Sequence, residues 1–160
     1  MKENIIIIKK WNGKGFDYSG NMEYKIQNGT GNIKERYDNG KLILEGEYLN
    51  GKRNGKGKDY ENGELIFEGE YLNGERNGKG KDYENGELIF EGKYLNGKKN
   101  GKGKEYYYIN GKLKFEGEYI NGERNGKGKE YHYCGRIIFE GEYLNGERNG
   151  EGKEYNSNGN

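Results

Sequence analysis

Residues 65–84 read LIFEGEYLNGERNGKGKDYE, and their spacing decides whether so much glycine builds ligand loops or packed strands. In LIFEGEYL, Phe67, Gly69 and Tyr71 fall on one face of an extended chain, while Ile66, Glu68, Glu70 and Leu72 fall on the other. Period two between Asn-Gly pairs is the signature of a strand bounded by hairpin turns. Asn-Gly supplies the positive φ angles that two-residue type I′ turns require. A helix is excluded, because each interior glycine costs ~1 kcal/mol there and no 3.6-residue apolar stripe is present. The stretch is therefore two strands, LIFEGEYL and GKGKDYE, joined by NGERNG.

The same unit recurs along the chain. The tetrad Glu-Gly-(Glu/Lys)-Tyr begins at Glu45, Glu68, Glu91, Glu116 and Glu140, and NGxG follows at Asn54, Asn77, Asn100, Asn125 and Asn149. The steps are 23, 23, 25 and 24 residues. Weaker copies stand at Asn12 and Asn28, so residues 1–44 read as degenerate repeats or a cap and 45–160 as five regular repeats of a single 1–160 domain. Fixed periods of this size indicate a repeat architecture. The expected fold class is all-β: an elongated, twisted, single antiparallel meander sheet of tandem β-hairpins with about 14 short strands. At ~4.8 Å between strands, such a sheet is roughly 65 Å long. An odd period would exchange the two faces at every repeat, so each copy needs one odd loop or one β-bulge. The longer copies carry their extra residues between Lys104 and Phe115 and between Lys129 and Phe139, which assigns the slack to the turn after the second strand.

The glycines then have a packing role. Gly78 and Gly80 can share a face with Gly69, Phe67 and Tyr71, where missing side chains let neighbouring rings lie over bare backbone. The opposite face carries Glu68 and Glu70 against Lys79 and Lys81, in cross-strand pairs worth roughly 0.2–1 kcal/mol each. Two offsets between the strands satisfy this arrangement.

Leu, Ile, Val and Phe make up 27 of 160 residues, about 17%, under the roughly 20% typical of disordered, highly charged chains. The net charge is only +1, however, and sixteen tyrosines supply the missing apolar area. That balance gives no footprint for nucleic acid and no polybasic cluster for an anionic membrane. A single cysteine, Cys134, and the short apolar run Ile5 to Ile8 make a cytoplasmic location the expectation, with a peripheral place at a membrane or the cytoskeleton as the alternative.

No catalytic, cofactor or metal site is expected. NGKG feeds a strand rather than a helix N-terminus, and neither GxGxxG nor GxxxxGK[ST] is complete. NGKGKDYEN at 54–62 is similar to a calcium-binding nonapeptide but recurs once per 23 residues instead of every nine. Glu68 with Glu70 and Glu140 with Glu142 face lysines, as a solvated charged face does, and His132 with Cys134 are too few for zinc.

EGEYLNGERNGKGK resembles the MORN repeat, with its aromatic-Glu-Gly-x-aromatic core followed by NG and GxG, and KEYYYINGKLKFEGEY resembles the variant class of that repeat. The likeness is strong over about 120 residues; Phe or Leu replaces a frequent Tyr, and Tyr a frequent Trp. The resemblance implies a non-catalytic scaffold for protein–protein interaction, and aromatic side chains dominate binding hot spots. The candidate aromatic face is Tyr48, Phe67, Tyr71, Phe90, Tyr94, Phe115, Tyr119, Phe139 and Tyr143, offered to an amphipathic helix or extended segment. The alternative is that these rings fill the sheet's own thin core. The family also implies phospholipid association, through turn pairs such as Lys52-Arg53 and Lys98-Lys99, or an antitoxin-like binding protein. Charged residues at the two edges, near Ile5 to Lys10 and Gly150 to Tyr155, suggest a monomer mostly, with edge-mediated dimerisation as the risk.

Overall fold

The computed structural model describes residues 11–17 and 19–156. Its strands are β1 (Gly13–Phe16), β2 (Met22–Gln27), β3 (Thr30–Arg36), β4 (Leu42–Leu49), β5 (Lys52–Glu61), β6 (Glu64–Leu72) and β7 (Glu75–Glu84). They continue as β8 (Glu87–Leu95), β9 (Lys98–Tyr106), β10 (Leu113–Ile120), β11 (Glu123–Tyr131), β12 (Ile137–Leu144) and β13 (Glu147–Glu154). All thirteen form one antiparallel sheet in sequence order, an open meander. Twelve inter-strand steps of ~4.8 Å make it roughly 58 Å across. The edge segment expected at Ile5 to Lys10 lies outside the described residues.

Eight of the twelve hairpins turn as their Asn-Gly pair dictates. Asn73 and Gly74 have φ of 53° and 98°, the left-handed pair of a type I′ turn, and seven further Asn-Gly pairs repeat it. Register is settled by glycine: Gly69 pairs with Gly80, and Gly80 with Gly92.

Two bulges per repeat reconcile these turns with an odd period. Between β6 and β7, Gly69 pairs with Gly80 but Tyr71 with Arg76, so Glu70 alone faces Asn77 to Lys79. Between β7 and β8, Asp82 pairs with Phe90 but Tyr83 with Leu88, which leaves Ile89 over. Two extra residues preserve the facing of side chains, whereas one extra residue reverses it. The single-residue bulge is thus what keeps a 23-residue copy on the same face as the last. It lies at the start of the first strand in each regular copy, inside the sheet. The longer third turn, Tyr107 to Lys112, takes up the slack assigned to it.

The core of the regular copies is a single row of rings on one face, and Ile26 and Ile33 are buried in the strands before it. Phe67, Phe90 and Phe115 are at most 1% exposed, and Tyr71, Tyr94, Tyr119, Phe139 and Tyr143 are buried with them. In the order Tyr71, Phe67, Tyr94, Phe90, Tyr119, Phe115, Tyr143, Phe139, neighbouring centroids lie 5.1–5.8 Å apart with planes 81–89° apart. Edge-to-face pairs of this kind contribute ~0.5–1.5 kcal/mol each beyond the area they bury. The rings lie over glycine, as the sequence implies. A Cβ on Gly80 would stand 2.6 Å from Cζ of Phe67, and one on Gly128 2.4 Å from Cζ of Phe115.

Candidate functional site

The two faces do different work, and the carboxylate after each GxG separates them. Asp59 accepts the Tyr71 hydroxyl at 2.6 Å, Asp82 accepts that of Tyr94, and Glu105 accepts that of Tyr119 at 2.7 Å. Arginines at the start of four of the five regular second strands seal the row from above. Arg76 lies 3.8 Å over the Phe67 ring and bridges Asp82 at 3.1 Å and Asp59 at 3.3 Å. Arg124 covers Phe115 at 4.0 Å and bridges Glu105 at 2.6 Å and Glu130 at 2.8 Å. The guanidinium's planar fork suits both stacking and bridging.

The third copy has lysine instead. Lys99 sits 3.9 Å over Phe90 and reaches Asp82 at 3.8 Å, with no ion pair to Glu105 among the described residues. Burial first, then the bond to a carboxylate, raises the hydroxyl pKa of Tyr71 and Tyr94 far above 10. Burial raises Tyr119 likewise, with the nearby Glu105 charge next in importance.

This corrects the expectation of an aromatic-lined docking face. Of its nine residues, Phe67, Tyr71, Phe90, Tyr94, Phe115, Tyr119, Phe139 and Tyr143 are buried and Tyr48 half-buried. A ring under about a tenth exposed has no area left to give a partner, so these eight constitute the sheet's core rather than its accessible surface, and Tyr48 lies at the row's half-covered end. Arg53 and Lys99, read as headgroup contacts, are partly spent in the same way: Arg53 stacks 3.7 Å over Tyr71 and pairs with Asp59.

The opposite face is a groove of about 1370 Å³ that runs across the sheet from β2 to β13. None of the nine aromatic residues lines it; glutamates, lysines and glycine backbone do. Its floor is the glycine row from Gly46 to Gly141, because the flanking side chains point away from the rings.

One wall alternates in charge at every strand. Glu45 pairs with Lys58, Lys58 with Glu68, Glu68 with Lys81, and so on to Glu140 with Lys153. Charged atoms along it approach to 3.1–3.8 Å. Tyr60, Tyr83, Tyr106 and Tyr131 donate to Glu45, Glu68, Glu91 and Glu116 at 2.6–2.9 Å. Burial, then that bond, pushes their pKa up to about 12.

The other wall begins with glutamates seated on the bulges. Lys79 N donates to Oε2 of Glu70 at 3.1 Å, and a Cβ on Gly55 or Gly126 would collide with the carboxylate of Glu47 or Glu118. Beyond it, a ridge of Leu49, Leu72, Leu95, Ile120 and Leu144 stands 46–51% exposed. Alternation already placed Leu72 beside Glu70.

His132 Nδ1 and Cys134 Sγ lie 3.0 Å apart on an exposed turn. No group of three potential metal ligands occurs among the described residues.

A family model described as MORN repeat matches residues 45–58, 67–81, 90–112, 115–132 and 139–160, more than half of the chain. No curated protein matches.

Proposed function

We propose, from the premise that the chain belongs to the MORN-repeat family, that it is a non-catalytic scaffold whose charged groove holds a partner protein. MORN repeats are repeat modules of protein or membrane interaction. The observation that carries the reading is the division of labour between faces. The rings are consumed in cohesion, which leaves a glycine-floored groove flanked by a half-exposed aliphatic ridge.

The ridge recurs every second strand, roughly 9.6 Å, close to the ~10.5 Å that seven residues rise in an α-helix. An amphipathic helix laid lengthwise would meet the ridge once per heptad and the alternating walls with its polar flanks. Charge pairs on an open groove make such binding salt-dependent.

The test is a photocrosslinking scan in the native cell. A benzophenone side chain is placed at Lys56, Lys79 and Lys127 in the groove, and at Asn54, Asn77 and Asn125 outside it. Discrete adducts from the groove positions alone support the reading. Adducts only from the asparagine positions overturn it.

A further inference from the structure

The regular copies are interchangeable, so an all-regular groove would let a bound segment slip by one repeat at little cost. The third copy removes that degeneracy. Where the others carry Glu47, Glu70, Glu118 and Glu142, it carries Lys93. Lys93 pairs directly with Lys79 across β7 and β8, and Lys102 belongs to the bulge that faces it on β9. All three lysines are exposed, and none makes an ion pair among the described residues.

The bulge glycine differs as well. In the other four regular copies a Cβ on the bulge glycine would meet a glutamate carboxylate oxygen at 2.3 Å or closer. On Gly101 it would meet only carbons of Lys93, at 3.5 and 3.7 Å. Gly101 is exposed inside the sheet, whereas Gly55, Gly78 and Gly126 are half-covered and Gly150 is exposed on the edge strand. The bulge that holds one of the protein's own carboxylates elsewhere is bordered here only by the methylenes of Lys93. Lys79 and Lys102 stand on the two flanking strands, and Glu70 and Glu118 are the nearest acidic neighbours, one strand further out on either side.

We propose that Lys79, Lys93 and Lys102, over the Gly101 bulge, form a carboxylate-binding site that takes an acidic side chain of the bound partner segment. The site rests on the groove reading above and deepens it by fixing register. The partner's carboxylate supplies the charge that Glu70 supplies one repeat earlier, and its segment sits with that residue over β8 and β9. Like charges placed opposite one another cost stability in the free protein. An acidic guest relieves that cost, so occupancy is favoured at this copy over the others.

The experiment uses the full chain and a fluorescein-labelled hexaglutamate peptide, followed by anisotropy at low and at physiological salt. Lys93→Glu restores the regular pattern, and Lys127→Glu makes the same charge change in a regular copy. The expected result is salt-sensitive binding that Lys93→Glu weakens ~tenfold or more and Lys127→Glu only ~threefold or less. Circular dichroism should be unchanged in both variants. Equal loss in the two variants overturns the site while leaving a general groove interaction standing. Binding unaffected by either variant overturns the site and places the peptide outside the groove. Absence of binding to the unaltered chain overturns the site outright, and the crosslinking scan then decides separately whether the groove engages protein. A phosphoserine hexapeptide bound ~tenfold tighter than hexaglutamate, with the same dependence on Lys93, reassigns the seat to phosphate and overturns the carboxylate.

Discussion

At the scale of single residues, the middle of the ring row depends on giving three tyrosine hydroxyls a carboxylate without exposing their rings. Tyr71, Tyr94 and Tyr119 do this with Asp59, Asp82 and Glu105, and their folded pKa values lie above the ordinary 10. A group whose folded pKa is raised lends stability below its unfolded pKa and loses it as pH climbs through the folded value. Stability should therefore hold to about pH 10 and fall from there through about 12, where Tyr60, Tyr83, Tyr106 and Tyr131 titrate. The ring NMR signals of Tyr71, Tyr94 and Tyr119 should stay those of the neutral phenol until the sheet's circular dichroism is lost. Ionisation of these three near pH 10 with the sheet intact would contradict the carboxylate pairing. The Asp-Tyr and Glu-Tyr steps after GxG were plain in the sequence, but they looked like a calcium loop in outline. What they do requires knowing that Asp59 comes to lie beneath Tyr71, a pairing that forms only across neighbouring strands.

At the scale of the element, each repeat is a hairpin locked to its neighbour by an arginine, and the third copy is locked less well. Arg76 joins Asp59 to Asp82 and Arg124 joins Glu105 to Glu130, but Lys99 leaves Asp82 and Glu105 unbridged. Lys99→Arg should complete the ladder and raise stability by ~0.5–1 kcal/mol, a partly buried, bidentate case at the upper end of what ion pairs contribute. Urea unfolding measures it, and no gain would mean that the bridge is incidental. The turns and the need for a bulge were readable from Asn-Gly and the period of 23. The bulge's position was not: Ile66 and Ile89 look like ordinary strand residues, and only the pairing of Asp82 with Phe90 and Tyr83 with Leu88 shows which residue is extra.

At the scale of the whole molecule, stability is a sum over near-identical copies and their interfaces. Removing residues 68–90 joins Phe67 to Glu91 in the same register. The shortened chain should fold with its urea m-value reduced by roughly one seventh, in proportion to the surface lost. Deleting Ile89 alone should lower the midpoint further than deleting all 23 residues, because it reverses the faces on one side of the cut. The reverse order would show that the bulges do not set facing. The meander, the repeat boundaries and the rings over glycine were legible because they follow from alternation and spacing. Which face is left for a partner was not, because arginines that follow the Asn-Gly turns fold back and close over the rings. That closure depends on rings lying against the glycine row, and a double-mutant cycle between Gly80→Ala and Phe67→Leu measures this contact most directly. Gly80→Ala should cost ~1–3 kcal/mol in the intact chain and at least ~1 kcal/mol less once Phe67 is shortened. Strictly additive costs would mean that the ring does not rest on Gly80, and the account of the core would fall.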